Sequence, residues 1–183
     1  ALPVNPSPAA PVGTIAHDMA SDYLKSNIGP AVWLGQKVTR DGFEFTVDQA
    51  MVDYVNDYCK LVGEYAVQGT MLVEQRLEFS KSIGIADSFG TSDAVVIGKD
   101  TLYVIDLKYG MGVRVDANEN EQLMLYALAA LETYGFMGNF KEVVMVIHQP
   151  RLNHVSEYAV PVEHIEAFAE RAREAAKKAL FDN

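Results

Sequence analysis

Ser92-Asp93-Ala94-Val95-Val96-Ile97-Gly98-Lys99-Asp100-Thr101-Leu102-Tyr103-Val104-Ile105-Asp106-Leu107-Lys108 reads as two short strands about a tight turn. Both runs are rich in β-branched residues, and Gly98-Lys99-Asp100 between them is turn chemistry. Loop length decides what the pair can do. With Lys99 and Asp100 as the turn, Gly98 faces Thr101 and Asp93 lies directly opposite Asp106, their Cβ atoms roughly 4.5–5.5 Å apart. With Gly98-Lys99 as the turn, Gly first as a type II′ turn prefers, Asp93 is diagonal to Asp106 on the same face. A loop of odd length puts the two on opposite faces. Lys108, two residues beyond Asp106, projects on the same side as Asp106.

Two bare carboxylates so close repel, and one prefers to hold a proton. A hard cation such as Mg²⁺ or Mn²⁺ resolves the conflict, because it takes oxygen ligands and keeps bound waters. Lys108 then stands where it can orient such a water or offset charge on a phosphodiester. Asp-x-Lys alone is a weak signal, common on solvated strands. Here Leu102, Val104, Ile105 and Leu107 make the strand apolar on both faces, so its terminal charges do not belong to a plain wet surface.

Outward from this hairpin, residues 71–79 alternate as a strand and 80–89 read as a loop containing Gly84. Upstream, residues 14–24 read as a helix with Ile15, Met19, Tyr23 and Leu24 on one side. Residues 47–67 read as a longer helix, carrying Met51, Val52, Val55, Tyr58, Cys59 and Val62 on one face and Asp48 as its cap. Downstream, 109–114 is a glycine-containing loop, and 119–134 is a helix of strong formers stopped by Gly135. Residues 142–148 are a buried strand ended by Pro150, 155–160 a further strand, and 162–180 an amphipathic helix. The order is two helices, three strands, one helix, two strands, one helix. It predicts an α/β fold: a central mixed sheet of about five strands flanked by helices. The Pro/Ala-rich residues 1–12 read as a flexible N-terminal segment, and 13–183 as one domain.

The 183 residues carry a net charge of −10, 49% hydrophobic and 22% charged residues. A protein that grips DNA over a wide surface usually has a basic face, and this chain has no basic excess. Local cations, metal ions or further subunits must then do that work. The single cysteine, Cys59, excludes a disulfide framework or a Cys-rich zinc or iron–sulfur site within these residues. No stretch approaches the roughly 20 apolar residues that span a bilayer. The first residues lack the basic and apolar regions of a secretory leader, so the expectation is a cytoplasmic protein.

The strings Gly90-Thr91-Ser92-Asp93, Val104-Ile105-Asp106-Leu107-Lys108-Tyr109-Gly110 and Gln122-Leu123-Met124-Leu125-Tyr126 together resemble the PD-(D/E)XK nuclease superfamily. The closer likeness is to its RecB-like exonuclease branch, in particular a phage and prophage domain. The resemblance implies a restriction-endonuclease-like core. Asp93 matches the first metal-binding aspartate, and Asp106 the second acidic position, here Asp rather than Glu. Lys108 matches the catalytic lysine, and Gln122 and Tyr126 a glutamine–tyrosine motif on one helical face. Gly13-Thr14-Ile15-Ala16-His17 is similar to the branch's N-terminal helix, whose histidine is a further metal ligand. Glu74 resembles the acidic residue of the first core strand. The cysteine cluster of the iron–sulfur members is missing, and no helicase motor is encoded.

The resemblance implies an Mg²⁺- or Mn²⁺-dependent deoxyribonuclease, an exonuclease of phage replication or recombination acting in a bacterial host. Its partners would be DNA and possible further subunits or a recombination protein, with no membrane. Arg114, Gln149 and Arg151, on or after the loops that follow buried strands, are the candidates for contacting the DNA backbone. Arg171, Arg173, Lys177 and Lys178 alternate with acids and alanines, as on a solvated helix face. A competing reading keeps the fold as a catalytically silent DNA-end-binding or assembly module. The −10 charge favours that reading; the Asp–Asp–Lys set argues against it.

Overall fold

The computed structural model describes residues 9–181. Helix α1 (Ala9–Ser26) is followed by a two-stranded hairpin, β1 (Lys37–Arg40) and β2 (Phe43–Thr46), and by helix α2 (Gln49–Ala66). Then come β3 (Gly69–Glu78), the single turn α3 (Ser80–Ile83), β4 (Phe89–Gly98), β5 (Thr101–Leu107), α4 (Glu121–Tyr134), β6 (Glu142–Gln149), β7 (His154–Pro161) and α5 (Val162–Phe181). Strands β3 to β7 form one mixed sheet in sequence order. All neighbours are antiparallel except β5 and β6, which α4 joins as a parallel pair. The expected five-stranded mixed sheet flanked by helices is the architecture observed.

Each face of the sheet buries its own core. Val95, Val104, Val143, Met145 and Ile147 pack under α4 and α5, while Ala94, Val96, Ile105, Leu107 and Val146 pack under α1 and α2. Strand β6 is covered on both sides, which is why it reads as an unbroken apolar run rather than an alternation. Its residues from Val143 to Gln149 are all buried. Truncating a fully buried residue such as Ile105 to alanine costs ~2–5 kcal/mol. Asp48 caps α2 as expected, its carboxylate accepting from Met51 N at 2.9 Å. Asn120 does the same for α4 through Leu123 N.

Several sequence expectations are corrected. Residues 1–8 of the expected flexible segment lie outside the described residues, but Ala9–Val12 are already the first turn of α1. Alanine is the strongest helix former, and Pro11 is tolerated there because first-turn N–H groups have no intrahelical partner. The β1–β2 hairpin was not expected. It turns at Asp41-Gly42, both in the left-handed region (φ 49° and 79°), with Arg40 paired to Phe43. Asp-Gly is the turn chemistry such a hairpin demands. The expected loop 80–89 contains α3, closed by Gly84 at φ 74°.

The β4–β5 turn is the Lys99-Asp100 alternative. Ile97 pairs with Leu102 and Ala94 with Ile105, a register that carried one residue further sets Asp93 against Asp106. Regular pairing stops at that point. At the same level the β3–β4 ladder skips Glu74, whose φ of 50° lies between the pairs Val73–Ala94 and Gln75–Ser92. Leu72 and Leu77 both pack on the α4 side despite their odd separation. Strict alternation forbids that; the register is the same on both sides of Glu74, so the change of face goes with its left-handed φ and not with an extra residue. The sheet therefore breaks across two strand pairs at one level, and the polar residues gather there.

Candidate active site

Asp93, at the break, is held from two directions. Leu107 N donates to its Oδ2 at 2.8 Å, taking the place of a ladder bond, and His17 Nδ1 on α1 meets its Oδ1 at 2.8 Å. Asp106 ends an apolar strand and is only 4% exposed. Lys108 Nζ lies 3.0 Å from Asp106 Oδ2. That contact is close enough for an ion pair but off the line of a hydrogen bond, so Oδ2 is buried without a hydrogen-bond partner. Lys108 instead donates to Gln122 Oε1 at 2.7 Å, and Gln122 Nε2 donates to the Tyr126 hydroxyl at 3.0 Å. One hydrogen-bonded chain thus runs from the second acid's neighbour into α4. Gly90 leaves room for the Tyr126 ring, since a Cβ there would sit 2.3 Å from Tyr126 Cε1.

Burial is the largest influence on Asp106. With the adjacent Asp93 charge it lifts the carboxyl to about 7, against the opposing pull of Lys108. Burial alone would push the His17 imidazole down. The hydrogen bond and charge of Asp93, joined by the Asp106 charge, outweigh it and hold His17 above its ordinary value. Burial and the Asp106 charge raise the Tyr126 phenol, keeping it a neutral O–H at physiological pH.

These groups line one cleft of about 540 Å³. Its walls are α1 around Gly13, Thr14 and His17, the loop from Tyr109 to Val115, and α4 at Gln122 and Tyr126. The structure thus brings together His17, Asp93, Asp106, Lys108, Gln122 and Tyr126. Glu74 is not among the residues lining the cleft: Lys25 Nζ holds its carboxylate at 2.6 Å, and that contact lowers its pKa. Lys25 carried no sequence signal, since only the fold sets the last turn of α1 beside β3.

The three residues expected on DNA divide. Arg114 is exposed beside the cleft-lining Val113 and Val115. Gln149 is 2% exposed, and both ends of its amide are used. Val115 N donates to Oε1 at 2.7 Å, and Nε2 donates to Val113 O at 3.2 Å. Arg151 Nη1 donates to Tyr109 O at 3.4 Å, and its guanidinium lies 5.0 Å from the centre of the Tyr109 ring. Gln149 and Arg151 therefore anchor the loop that follows Lys108. Three side chains on one face of β7 continue the anchoring. His154 meets Val115 O, Ser156 accepts from Ala117 N, and Tyr158 donates to Glu119. The sequence signal for these three is the polar alternation of β7, whose burial alternates from His154 to Ala159. Arg173, assigned from sequence to a solvated face, donates to Ser82 O and ties α5 to α3.

The family model described as "Protein of unknown function (DUF2800)" matches residues 1–182. The chain belongs to the DUF2800 family. A solved structure described as "Crystal structure of SSO0001" is similar at a TM-score of 0.33 and 12% identity, over 90% of this chain and 74% of that one. What the cleft of this DUF2800 chain can do therefore rests on its own residues.

The donor set suits a hard divalent cation. Asp93 and Asp106 offer oxygens, and Asp106 Oδ2 is a buried oxygen with no hydrogen bond. Among the described residues no three His, Cys, Asp or Glu side chains form a ready-made cage. Mg²⁺ does not need one, since it is usually held by one or two carboxylates with waters and substrate phosphate completing the shell. His17 Nδ1 is spent on Asp93, leaving Nε2 as the other donor atom of the ring. Among the described residues no helix is long and apolar enough to cross a membrane.

Proposed function

We propose that this chain is a metal-dependent deoxyribonuclease of the PD-(D/E)XK kind, working as an exonuclease on DNA ends in phage replication or recombination in a bacterial cytoplasm. The observation that carries the reading is the Asp93–Asp106–Lys108 cluster, with a buried Asp106 oxygen lacking a hydrogen bond and an ammonium 3.0 Å away. A protein interior tolerates two adjacent carboxylates when one keeps its proton or when positive charge is brought to them. Asp93 and Asp106 would hold Mg²⁺ or Mn²⁺, which supplies charge neutralisation and polarisation of water and phosphate when bound.

The remaining steps belong to side chains. His17 and Leu107 N–H fix the Asp93 carboxylate in direction. Lys108 stands beside the acid pair, where its charge offsets the negative charge that develops on the phosphate oxygens as a water oxygen bonds to phosphorus and the P–O bond to the leaving nucleotide breaks, the attacking water losing a proton to solvent and the leaving oxygen taking one up. Gln122 fixes the ammonium, and Tyr126, accepting from Gln122, keeps its own O–H free to donate toward substrate. Arg114, exposed on the loop between Val113 and Val115, is the cation this reading assigns to the DNA backbone.

Incubation with linear and with covalently closed circular DNA in Mn²⁺ or Mg²⁺ tests the reading. The proposal expects the linear molecule to be shortened and the circle left intact. Retention of DNA ends with neither molecule cut would instead support the silent end-binding module.

A further inference from the structure

Strands β3 and β4 run on together past Asp93. Thr91, which lines the cleft, pairs with Arg76, and Phe89 pairs with Glu78. On one face of this extension Gly90 leaves room for Tyr126, Leu77 joins the core under α4, and Gln75 accepts from the Tyr134 hydroxyl at 2.9 Å. Alternation turns Thr91, Phe89 and Arg76 to the other face, the side from which His17 reaches Asp93. That face is open to water: Thr91 is exposed, Phe89 is 49% exposed and the Arg76 side chain 62%.

Arg76 is set in place there without spending its donors. Its guanidinium carbon lies 3.7 Å from the centre of the Phe89 ring, a stacking distance. Glu78 Oε1 is 4.0 Å from its Nε, too far for a hydrogen bond, and the guanidinium makes none among the described residues. Stacking engages the face of the guanidinium and leaves its N–H groups, all in the plane, turned outward. Other cations around the cleft are spent on the protein: Lys25 on Glu74, Lys108 on Gln122 and Arg151 on Tyr109. A planar fork held by its face is the form that grips two oxygens of one phosphate.

The spacing relates this arginine to the acids. Asp93 and Phe89 are four strand residues apart, roughly 13 Å, and Arg76 starts across from Thr91, midway between them. A phosphate on its donor edge lies on the order of 10 Å from the acid pair, one or two nucleotide steps along an extended strand. At a net charge of −10 the chain has no wide basic surface to share that task.

We propose that Arg76, stacked on Phe89, is a phosphate-binding residue that seats the DNA strand one or two nucleotides from the bond that is cut. This inference rests on the nuclease reading and deepens it. The ligand is a backbone phosphate of the substrate strand, and the contact sets which linkage stands over Asp93 and Asp106.

Single-stranded oligonucleotides of one sequence, each with one uncharged methylphosphonate linkage placed one, two or three steps to either side of the first bond cut, provide the test. Offered to the full chain with Mn²⁺, the wild type should slow about ten-fold or more at one linkage, one or two steps from the cut. Arg76→Gln should cut the fully charged strand about ten-fold more slowly than wild type and lose nothing further at that linkage. Each protein is compared with itself across the strands, so a loss through folding cancels. An Arg76→Gln protein that slows at that linkage as much as wild type, or that cuts the fully charged strand as fast, overturns the inference while leaving the nuclease reading standing. So does a wild type indifferent to the linkages one and two steps away. A wild type that cuts no strand removes the nuclease reading and the inference with it.

Discussion

Lys108 Nζ stands 3.0 Å from Asp106 Oδ2, yet its hydrogen bond goes to Gln122 Oε1 at 2.7 Å. The buried acid therefore has a charge beside it and no donor aligned on it. Burial and the neighbouring Asp93 hold its carboxyl near 7. An acid whose folded pKa lies above its unfolded value binds more protons in the native state than in the unfolded state. Stability is then greatest below the unfolded pKa and declines as pH rises through the folded one. His17, also raised, adds stability that is complete below its unfolded value and lost as pH rises through its folded value.

Thermal unfolding without divalent metal should therefore show the melting temperature falling from about pH 5 to pH 8, with Asp106 contributing on the order of a few kcal/mol. Mn²⁺ should raise it more at pH 8 than at pH 5, and Asp106→Asn should flatten both responses. A melting temperature that climbs across this range in the metal-free protein would oppose this electrostatic picture.

Gly90 touches the chemistry through space alone. A Cβ at that position would lie 2.3 Å from Tyr126 Cε1, so Gly90→Ala must move the ring and with it the Gln122–Tyr126 bond. Because Gln122 fixes Lys108, cleavage should fall on the order of a hundred-fold while far-UV circular dichroism keeps its native form. Full activity in this variant would mean that Tyr126 and Gln122 do not position the lysine.

Gln149 separates two expectations. As a DNA contact, it would weaken binding when replaced and leave the free protein's stability alone. As the buried anchor observed, Gln149→Leu strips Val115 N–H of its acceptor and should cost ~1–3 kcal/mol. Amide exchange at Val115 and proteolysis within Gly110–Val113 should both accelerate. Unchanged exchange at Val115 would contradict the anchoring role.

Cys59 is buried, with its Sγ against Ala20 O, and burial pushes the thiol up to about 12. The thiolate is the reactive form, so Cys59 should resist a thiol reagent at pH 8 and react at the rate of global unfolding. Reaction at the speed of a free thiol would show that α1 and α2 part readily.

The long elements were legible because their periods are: Met51, Val55, Tyr58 and Val62 repeat as one helical face, and 143–147 is too apolar to be anything but buried. The hairpin parity placed Asp93 against Asp106 once the turn was fixed, although sequence left two turns of even parity open. The β1–β2 hairpin was missed despite Asp41-Gly42 and the alternating Phe43-Glu44-Phe45-Thr46, because strands of four residues offer too few positions for a period to stand out and Lys37-Val38-Thr39-Arg40 holds one apolar residue. Glu74 could not be placed from its strand, since its irregular φ is a property of the folded backbone. The roles of Gln149 and Arg151 depend on a loop far away in sequence, and a side chain's type does not say whether it faces DNA or its own backbone.

The most direct measurement is the initial rate of nucleotide release from end-labelled linear DNA with Mn²⁺, wild type and Lys108→Ala side by side. If Asp93, Asp106 and Lys108 form a phosphodiester-hydrolysing site, the wild type releases nucleotides and Lys108→Ala falls by about a hundred-fold or more. Equal release by the two proteins would contradict the account.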